Sequence, residues 1–598
     1  MEKLKLGRFF KKYIFLYFIA IIAVLLSTVL DMTSPIIVQH IVDDVLIAKK
    51  MEVFKFLLLG ILAIGVGRCI FQYTKEYTCD YCGSKIASEI RINLFQKIQS
   101  LSANFFDGIN SGELMSRVKD DVDSIWNIAA YMGILMVEVV IRVVCTMFFL
   151  IRINVFLAVI PIIGMLFSGA IAIFMEKKLD TLYGQMQQEN SELNNTAAEN
   201  LAGVRTVKAF AKEGFEIAKF HKHNQKFYEI NIDLSRVFVK YNPIIQLAAR
   251  LLCVFILLVG GIFVIKGNPL AAGEKLSVGQ LLALVQYVGN MIWPMEMLGW
   301  LTNGLSSARA SVKRLNKIYA ELPQINEQSK LLKNEKSNEQ LDSKLSEALF
   351  NSFDLSGNIS FENVTFKVGE RTILKNISFN LPSGKTLGIM GATGSGKTTI
   401  INLLKRMYDT TEGVIKFDGI DIKELPLATL RKAVACVMQD IFLFSDSIDG
   451  NIRLGEKQIM TANQVRASLE KSHSWEFVSK MEEKEHTVIG ERGVGLSGGQ
   501  KQRITIARAL ARKTPVLVLD DSTSALDTET EQEIQGVLSE LSGMTKIIIA
   551  HRISAVQKAD MIIVLDKGEI AESGTHEQLL AKNGLYKETY DSQYGTKE

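Results

Sequence analysis

The 598-residue sequence predicts a two-part chain, an α-helical transmembrane domain of six spans with long cytosolic helical loops followed by an α/β P-loop nucleotide-binding domain. Three observations carry that prediction. Hydrophobic residues make up 48% of the chain and concentrate in its first half. Six apolar stretches there are long enough to cross a bilayer, which takes about 20 residues each. The second half carries a glycine-rich loop, "GATGSGKTT", between a strand-like run and a helix-like one.

The spans are placed near 13–37, 54–78, 128–150, 153–175, 242–266 and 278–305, within a transmembrane domain over 1–315. Lys3, Lys5, Arg8, Lys11 and Lys12 precede the first, and the stretches 79–127 and 177–240 are also rich in Lys and Arg. The short connections on the other side hold only Lys49, Lys50, Arg152, Lys266 and Lys275. Basic loops stay on the cytosolic side. Both termini and both long loops are therefore expected in the cytosol, with the chain crossing the lipid bilayer of the cytoplasmic membrane. No small-residue cleavage site follows the N-terminal apolar run, so no signal peptide is expected.

Ile86, Ile90, Leu94, Ile98 and Leu101 recur at spacings of four and three, which predicts a membrane helix continuing into the cytosol. Each long loop reads as two helices meeting at a turn, "FFDGINSGEL" (105–114) in one and "AGVRTVKAFAKE" (202–213) in the other. Charges inside spans need a reason. Glu138 and Arg142, four apart, are expected to pair on one helix face, whereas Arg250 and Glu296 are candidates for lining a polar cavity. Pro294 removes a backbone donor and should kink the last span. Residues 316–357, dominated by Asn, Glu, Lys and Ser, read as a polar linker.

Six scattered cysteines show no disulfide framework, and Cys79 and Cys82 form a lone CxxC, read as small residues at a helix rather than a zinc site. Lys and Arg number 68 against 64 Asp and Glu, a balance that does not suggest nucleic-acid binding.

In the nucleotide-binding domain, 358–598, the run Gly391, Ala392, Thr393, Gly394, Ser395, Gly396, Lys397, Thr398 and Thr399 follows "KTLGIM" and opens a helix. Glycines let backbone N–H groups approach phosphates, and a helix N-terminus favours an anion. Lys397 should reach the β- and γ-phosphates and the Thr398 hydroxyl should bind Mg²⁺. "PVLVLDD" (515–521) is a buried strand ending on Asp520, placed to hold the same metal. Gln439 and His551 each follow an apolar strand, where γ-phosphate sensors would sit, and Gln439 is also a metal candidate. "LSGGQKQRITIARAL" (496–510) puts Ser497, Gly498, Gly499 and Gln500 before a helix, a second phosphate cradle. Two chains facing head to tail, each offering that cradle to the other's ATP, would explain why one chain has two.

LSGGQ, the P-loop, Gln439, His551 and "SALD" (524–527, ending on Asp527) resemble the nucleotide-binding domain of ATP-binding cassette transporters. Six spans with two long inner loops ahead of that domain resemble a half-transporter of the multidrug exporter type. The resemblance implies ATP and Mg²⁺ as cofactors, a second half-transporter as partner and an amphipathic small molecule or drug as cargo. It also implies that ATP closes two cassettes together and that the turns near 105–112 and 204–212 carry the motion into the spans.

Two positions depart from the family pattern. Asp521 stands where the family has a glutamate acting on the attacking water. One methylene fewer pulls the carboxylate back by about 1 Å, a displacement that can cost about 10²-fold in rate. Val368 falls where an aromatic residue stacks on adenine, with Phe366 close by. With LSGGQ intact, a weak acid fits the slow-site subunit of a heterodimer whose partner carries the glutamate. A slow homodimeric exporter or lipid flippase, and an ATP-gated sensor or channel subunit that does not pump, stand as alternatives.

Overall fold

The computed structural model describes residues 4–267, 275–325, 355–454, 459–490, 493–522, 528–541 and 543–595. The chain divides into two compact units: Met1–Leu101 with Ile109–Leu322, and Ser102–Gly108 with Pro323–Glu598.

The first unit is built from α1 (Ile14–His40), α2 (Met51–Gln99), α3 (Gly133–Ile153), α4 (Val155–Ala202), α5 (Glu213–Lys266), α6 (Val278–Gly289) and α7 (Ile292–Ala320). Among the described residues, five helices are long and apolar enough to cross a membrane: Ile14–Ile47, Met51–Gln99, Ser111–Ile153, Val155–Ala202 and Glu213–Lys266. Their lengths account for the long loops. α2 runs straight through the expected membrane exit and buries Ile86, Ile90, Leu94 and Ile98 on one stripe, while Phe56, Leu59 and Leu62 point outward. Such outward apolar surface suits lipid, which removes the hydrophobic penalty that water would impose. The turns fall on the expected residues, with short helices at Ala103–Asp107, Ser111–Ser116 and Val204–Ala209.

The sixth apolar stretch is two helices, α6 and α7, parted at Asn290 and Met291. Proline clashes with the carbonyl four residues before it. For Pro294 that residue is Asn290, so the break comes before the proline, which then fits the first turn of α7. α7 runs on to Ala320, into the stretch read as linker, and residues 326–354 of that stretch lie outside the described residues.

Charges on α1, α2 and α3 meet in one network. Asp31 on α1 accepts from Arg68 on α2 (2.6 Å) and Arg142 on α3 (3.0 Å), and Glu138 accepts from Lys75 of α2 (3.0 Å). The expected Glu138–Arg142 pair is present at 3.6 Å, longer than either residue's bond to another helix. The Arg142 guanidinium also lies 5.8 Å from the Trp293 ring. Arg250 is exposed, and the side chain of Glu296 lies outside the described residues. Cys79 and Cys82 are free, buried thiols on α2.

The second unit holds two sheets. Strands β1 (Ile359–Val368), β2 (Arg371–Leu381), β4 (Glu412–Phe417) and β5 (Ile420–Asp421) form an antiparallel sheet ordered β2-β1-β4-β5. The other sheet contains β3 (Thr386–Gly391), β6 (Val434–Val437), β7 (Val516–Asp520), β8 (Thr545–Ile549), β9 (Met561–Asp566) and β10 (Glu569–Gly574), ordered β10-β9-β3-β8-β7-β6. It is parallel except for β10. Helix α8 (Lys397–Leu404) leaves β3, and α9 (Gly498–Leu510) leads into β7. Every residue of β7 is buried, as expected for a strand covered on both faces. Ser102–Gly108 joins this unit through the Asp107 carboxylate, which accepts from the Tyr408 hydroxyl at 2.8 Å.

Candidate active site

Ligands of parallel α/β sheets bind beyond the carboxyl ends of the strands. Four expected site elements lie at that edge, on neighbouring strands: the glycine-rich loop after β3, His551 after β8, Asp520 closing β7 and Gln439 after β6. Register aligns three of them, with Ile549 of β8 opposite both Asp520 of β7 and Ile389 of β3. Gln439 and His551 are exposed.

The loop's shape depends on its glycines. Gly391, Gly394 and Gly396 have φ of +144°, +82° and +104°, and a Cβ on Gly391 would lie 2.3 Å from the Leu565 carbonyl oxygen. Gly396 caps α8, the helix that begins at Lys397. The Lys397 ammonium donates to the carbonyls of Gly391 (2.8 Å) and Ala392 (2.9 Å). An ammonium has three donors, so one is left to face a phosphate. Burial pushes Lys397 below its ordinary pKa, opposed by the charges of Asp520 and Asp521. Thr398 and Thr399 follow in the first turn of α8.

Asp520 is 1% exposed, and its Oδ2 has no hydrogen-bond partner among the described residues. Burial raises its pKa, while a bond from the Thr398 hydroxyl and the nearby Lys397 lower it. A buried carboxylate oxygen without a partner is costly. With the Thr398 hydroxyl already on the same carboxylate, these hard oxygen donors fit Mg²⁺.

Asp521 has φ +46°, a left-handed conformation that aspartate tolerates better than most residues. Its N–H donates to the Ile549 carbonyl at 2.9 Å, and its own carbonyl accepts from the buried Gln502 side chain at 3.3 Å. Gln502 lies one turn into α9, whose first residues are the signature. Sequence reading missed this link, since an amide reaching a carbonyl across a fold has no sequence pattern.

Ser497 caps α9 through a capping box: its hydroxyl accepts from the Gln500 N–H (3.3 Å), and the Gln500 side chain accepts from the Ser497 N–H (2.9 Å). Gly498 and Gly499 form the first turn behind it. Val368 ends β1 and is 59% exposed, whereas Phe366 is 8% exposed and packs against Tyr408 at 5.6 Å, so Val368 is the accessible one of the two. Asp527 lies outside the described residues.

The family models for the ABC transporter transmembrane region and the ABC transporter match residues 17–295 and 374–524. The ABC transporter ATP-binding protein YknU of Bacillus subtilis is 32% identical, over 96% of this chain and 94% of its own. The chain belongs to the ABC transporters. This ABC transporter also shares 31% identity with an ATP-dependent lipid A-core flippase of Haemophilus ducreyi, over 96% of this chain and 95% of the relative. A B. subtilis relative named "Probable multidrug resistance ABC transporter ATP-binding/permease protein YheI" is 33% identical, over 98% and 97%. The structure of a bacterial Atm1-family ABC exporter with ATP bound superposes with a TM-score of 0.81 at 25% identity, covering 98% of this chain and 99% of that one. The chain is thus an ABC exporter with membrane and ATP-binding parts, a family whose ATPase domain couples hydrolysis to transport and whose members act as dimers.

Proposed function

We propose that this ABC exporter moves amphipathic small molecules or drugs outward across the cytoplasmic membrane, as one half of a heterodimer in which its own ATP site is slow. The observation that carries ATP use is the unpartnered, buried oxygen of Asp520 beside Thr398, on a strand separated only by β8 from the one that feeds the glycine-rich loop. In this reading the N–H groups from Gly391 to Thr399 and the spare donor of Lys397 hold the phosphates. Thr398, Asp520 and Gln439 hold Mg²⁺, which supplies charge neutralisation at the β- and γ-phosphates. Asp521 orients the attacking water with His551 beside it, and Val368 lies against the adenine. Ser497, Gly498, Gly499 and Gln500, with Asp527, face the partner's nucleotide.

Support for the slow site is the side chain of Asp521, one methylene shorter than glutamate on a peptide held at both ends. Such a fixed backbone cannot shift to return the carboxylate to the water.

Inside-out vesicles test export: ATP-dependent dye uptake that disappears in Lys397→Ala is expected, and uptake indifferent to ATP overturns it. The mass of the complex isolated from its native membrane tests the partner. Two unlike chains, the other with glutamate after its metal-holding aspartate, are expected. Twice 66.7 kDa would mean a homodimer in which Asp521 must hydrolyse ATP itself.

A further inference from the structure

His551 stands on a short connection, Ala550 to Arg552, between β8 and the helix Ile553–Val556. Its ring is exposed and has no hydrogen bond among the described residues. The backbone that carries the ring therefore sets its place. That backbone has three ties. The Ala550 N–H donates to the Ile389 carbonyl of β3 at 3.3 Å. The Arg552 guanidinium pairs at 2.7 Å with Glu531, a buried carboxylate on the helix Thr528–Glu540. The third tie comes from 42 residues further on, where Gln593 uses both ends of its amide. Its Nε2 donates to the His551 carbonyl (2.6 Å), and its Oε1 accepts from the Ile553 N–H (2.9 Å).

Gln593 belongs to α10 (Leu585–Tyr594), which is docked by other residues. Glu572 of β10 accepts from the N–H groups of Leu585 (2.6 Å) and Tyr586 (3.3 Å), a carboxylate placed where a helix start has free donors. Tyr586 is 1% exposed, packs in one cluster with Ile553 and Val556, and brings its hydroxyl within 2.7 Å of His576 Nδ1. α10 thus shares a core with the helix that follows His551. Gln593 itself is exposed, so its bonds compete with water and add little to stability. What they add is direction. The tie needs a donor for a carbonyl and an acceptor for an N–H two residues on, and a primary amide supplies both without charge. Methionine, of similar length, supplies neither.

We infer that Gln593 is a positioning residue for ATP hydrolysis: by bridging the His551 carbonyl and the Ile553 N–H, it fixes the turn that aims the His551 ring at the γ-phosphate. The inference rests on the reading of His551 beside the attacking water, and it extends this chain's ATP site to α10.

ATP hydrolysis by the intact complex tests it, with the partner's own site disabled when the partner is a different chain. Radiolabelled ATP keeps a slow site measurable. Gln593→Met should lower kcat about fivefold, less than the ~10²-fold of a 1 Å misplacement because Glu531 and β3 still hold the turn. KM for ATP and the thermal midpoint should match the parent, since neither the phosphate loop nor the docking of α10 is touched. Amide hydrogen exchange over residues 550–556 should quicken in the variant while exchange over 391–399 stays the same. An unchanged kcat, or unchanged exchange over 550–556, overturns the inference. So does a fall in kcat that comes with a lower midpoint or a higher KM, which would make Gln593 a general support. His551→Ala separates the two levels. A large loss there with none in Gln593→Met removes the positioning role alone. Full turnover in His551→Ala removes the reading of His551 and the positioning role with it.

Discussion

In the membrane half, the side chains of Asp31, Lys75, Glu138 and Arg142 are at most 15% exposed, and each has an opposite charge within 3.0 Å on another helix. In the ATP half, Asp520 is buried more deeply still, yet one of its oxygens meets nothing among the described residues. Both arrangements withdraw charge from water, which is unfavourable unless the charge is met by a partner. The membrane helices supply that partner from within, so the network serves the fold. The cassette leaves one oxygen of this carboxylate without a hydrogen-bond partner among the described residues, and that is where the proposed function puts the metal.

Breaking the paired side should have the largest effect on stability. Glu138→Ala takes the interhelical partner from Lys75, which keeps only the half-exposed Glu76 (2.8 Å), and should cost about 3 kcal/mol, the lower end for a broken buried pair, in thermal unfolding of the detergent-solubilised protein. Replacing both members, Lys75→Met with Glu138→Leu, should cost clearly less. A single variant as stable as the parent would collapse the contrast.

Breaking the unpaired side should do the opposite. Asp520→Asn is expected to lower ATP turnover about 10²–10³-fold while leaving the nucleotide-free protein at least as stable as before, by the same unfolding assay. A large stability loss would make Asp520 a structural charge after all.

Asp521→Glu sharpens the comparison at the neighbouring residue. Lengthening the acid should raise turnover of this chain's own site by about 10²-fold, measured as ATP hydrolysis in a complex whose partner site is disabled. An unchanged rate would mean that reach is not what limits the site.

Tyr408→Phe should show the smallest effect, about 0.5 kcal/mol, at the low end for a hydrogen bond because the pair faces solvent. Burial, with help from Asp107, pushes the Tyr408 phenol up to about 12 from an ordinary value of 10.0. A raised pKa stabilises the fold fully below pH 10 and loses that contribution as pH climbs from 10 to about 12. Spectrophotometric titration of wild type against Tyr408→Phe should show one late-titrating phenol lost.

Much of this molecule was legible because the relevant patterns are local. The glycine run between strand and helix marked the loop that joins β3 to α8, the four-residue spacing along Ile86 to Ile98 marked α2's extension, which ends at Gln99 before Leu101, and Pro294 marked the break between α6 and α7. The ion network was legible only at Glu138 and Arg142, one turn apart. Asp31, Arg68 and Lys75 come to it from distant segments, and only helix packing shows them together. The same holds for Gln502 and Asp521, which local spacing does not connect. At Val368 alternation was no guide: Phe366 faces the core, and past the pairing irregularity between Phe366 and Lys367 the exposed end of β1 carries a valine.

The membership of Ser102–Gly108 in the second unit has a consequence for how the protein can be divided. The polypeptide enters that unit, leaves it and returns more than two hundred residues later. A protease cutting once after Leu322 would therefore not release a complete soluble fragment, because a short tooth of the first long loop belongs to it. A recombinant piece starting at Pro323 would carry Tyr408 without Asp107, and adding a synthetic peptide of residues 102–108 is the direct way to restore what the cut removed.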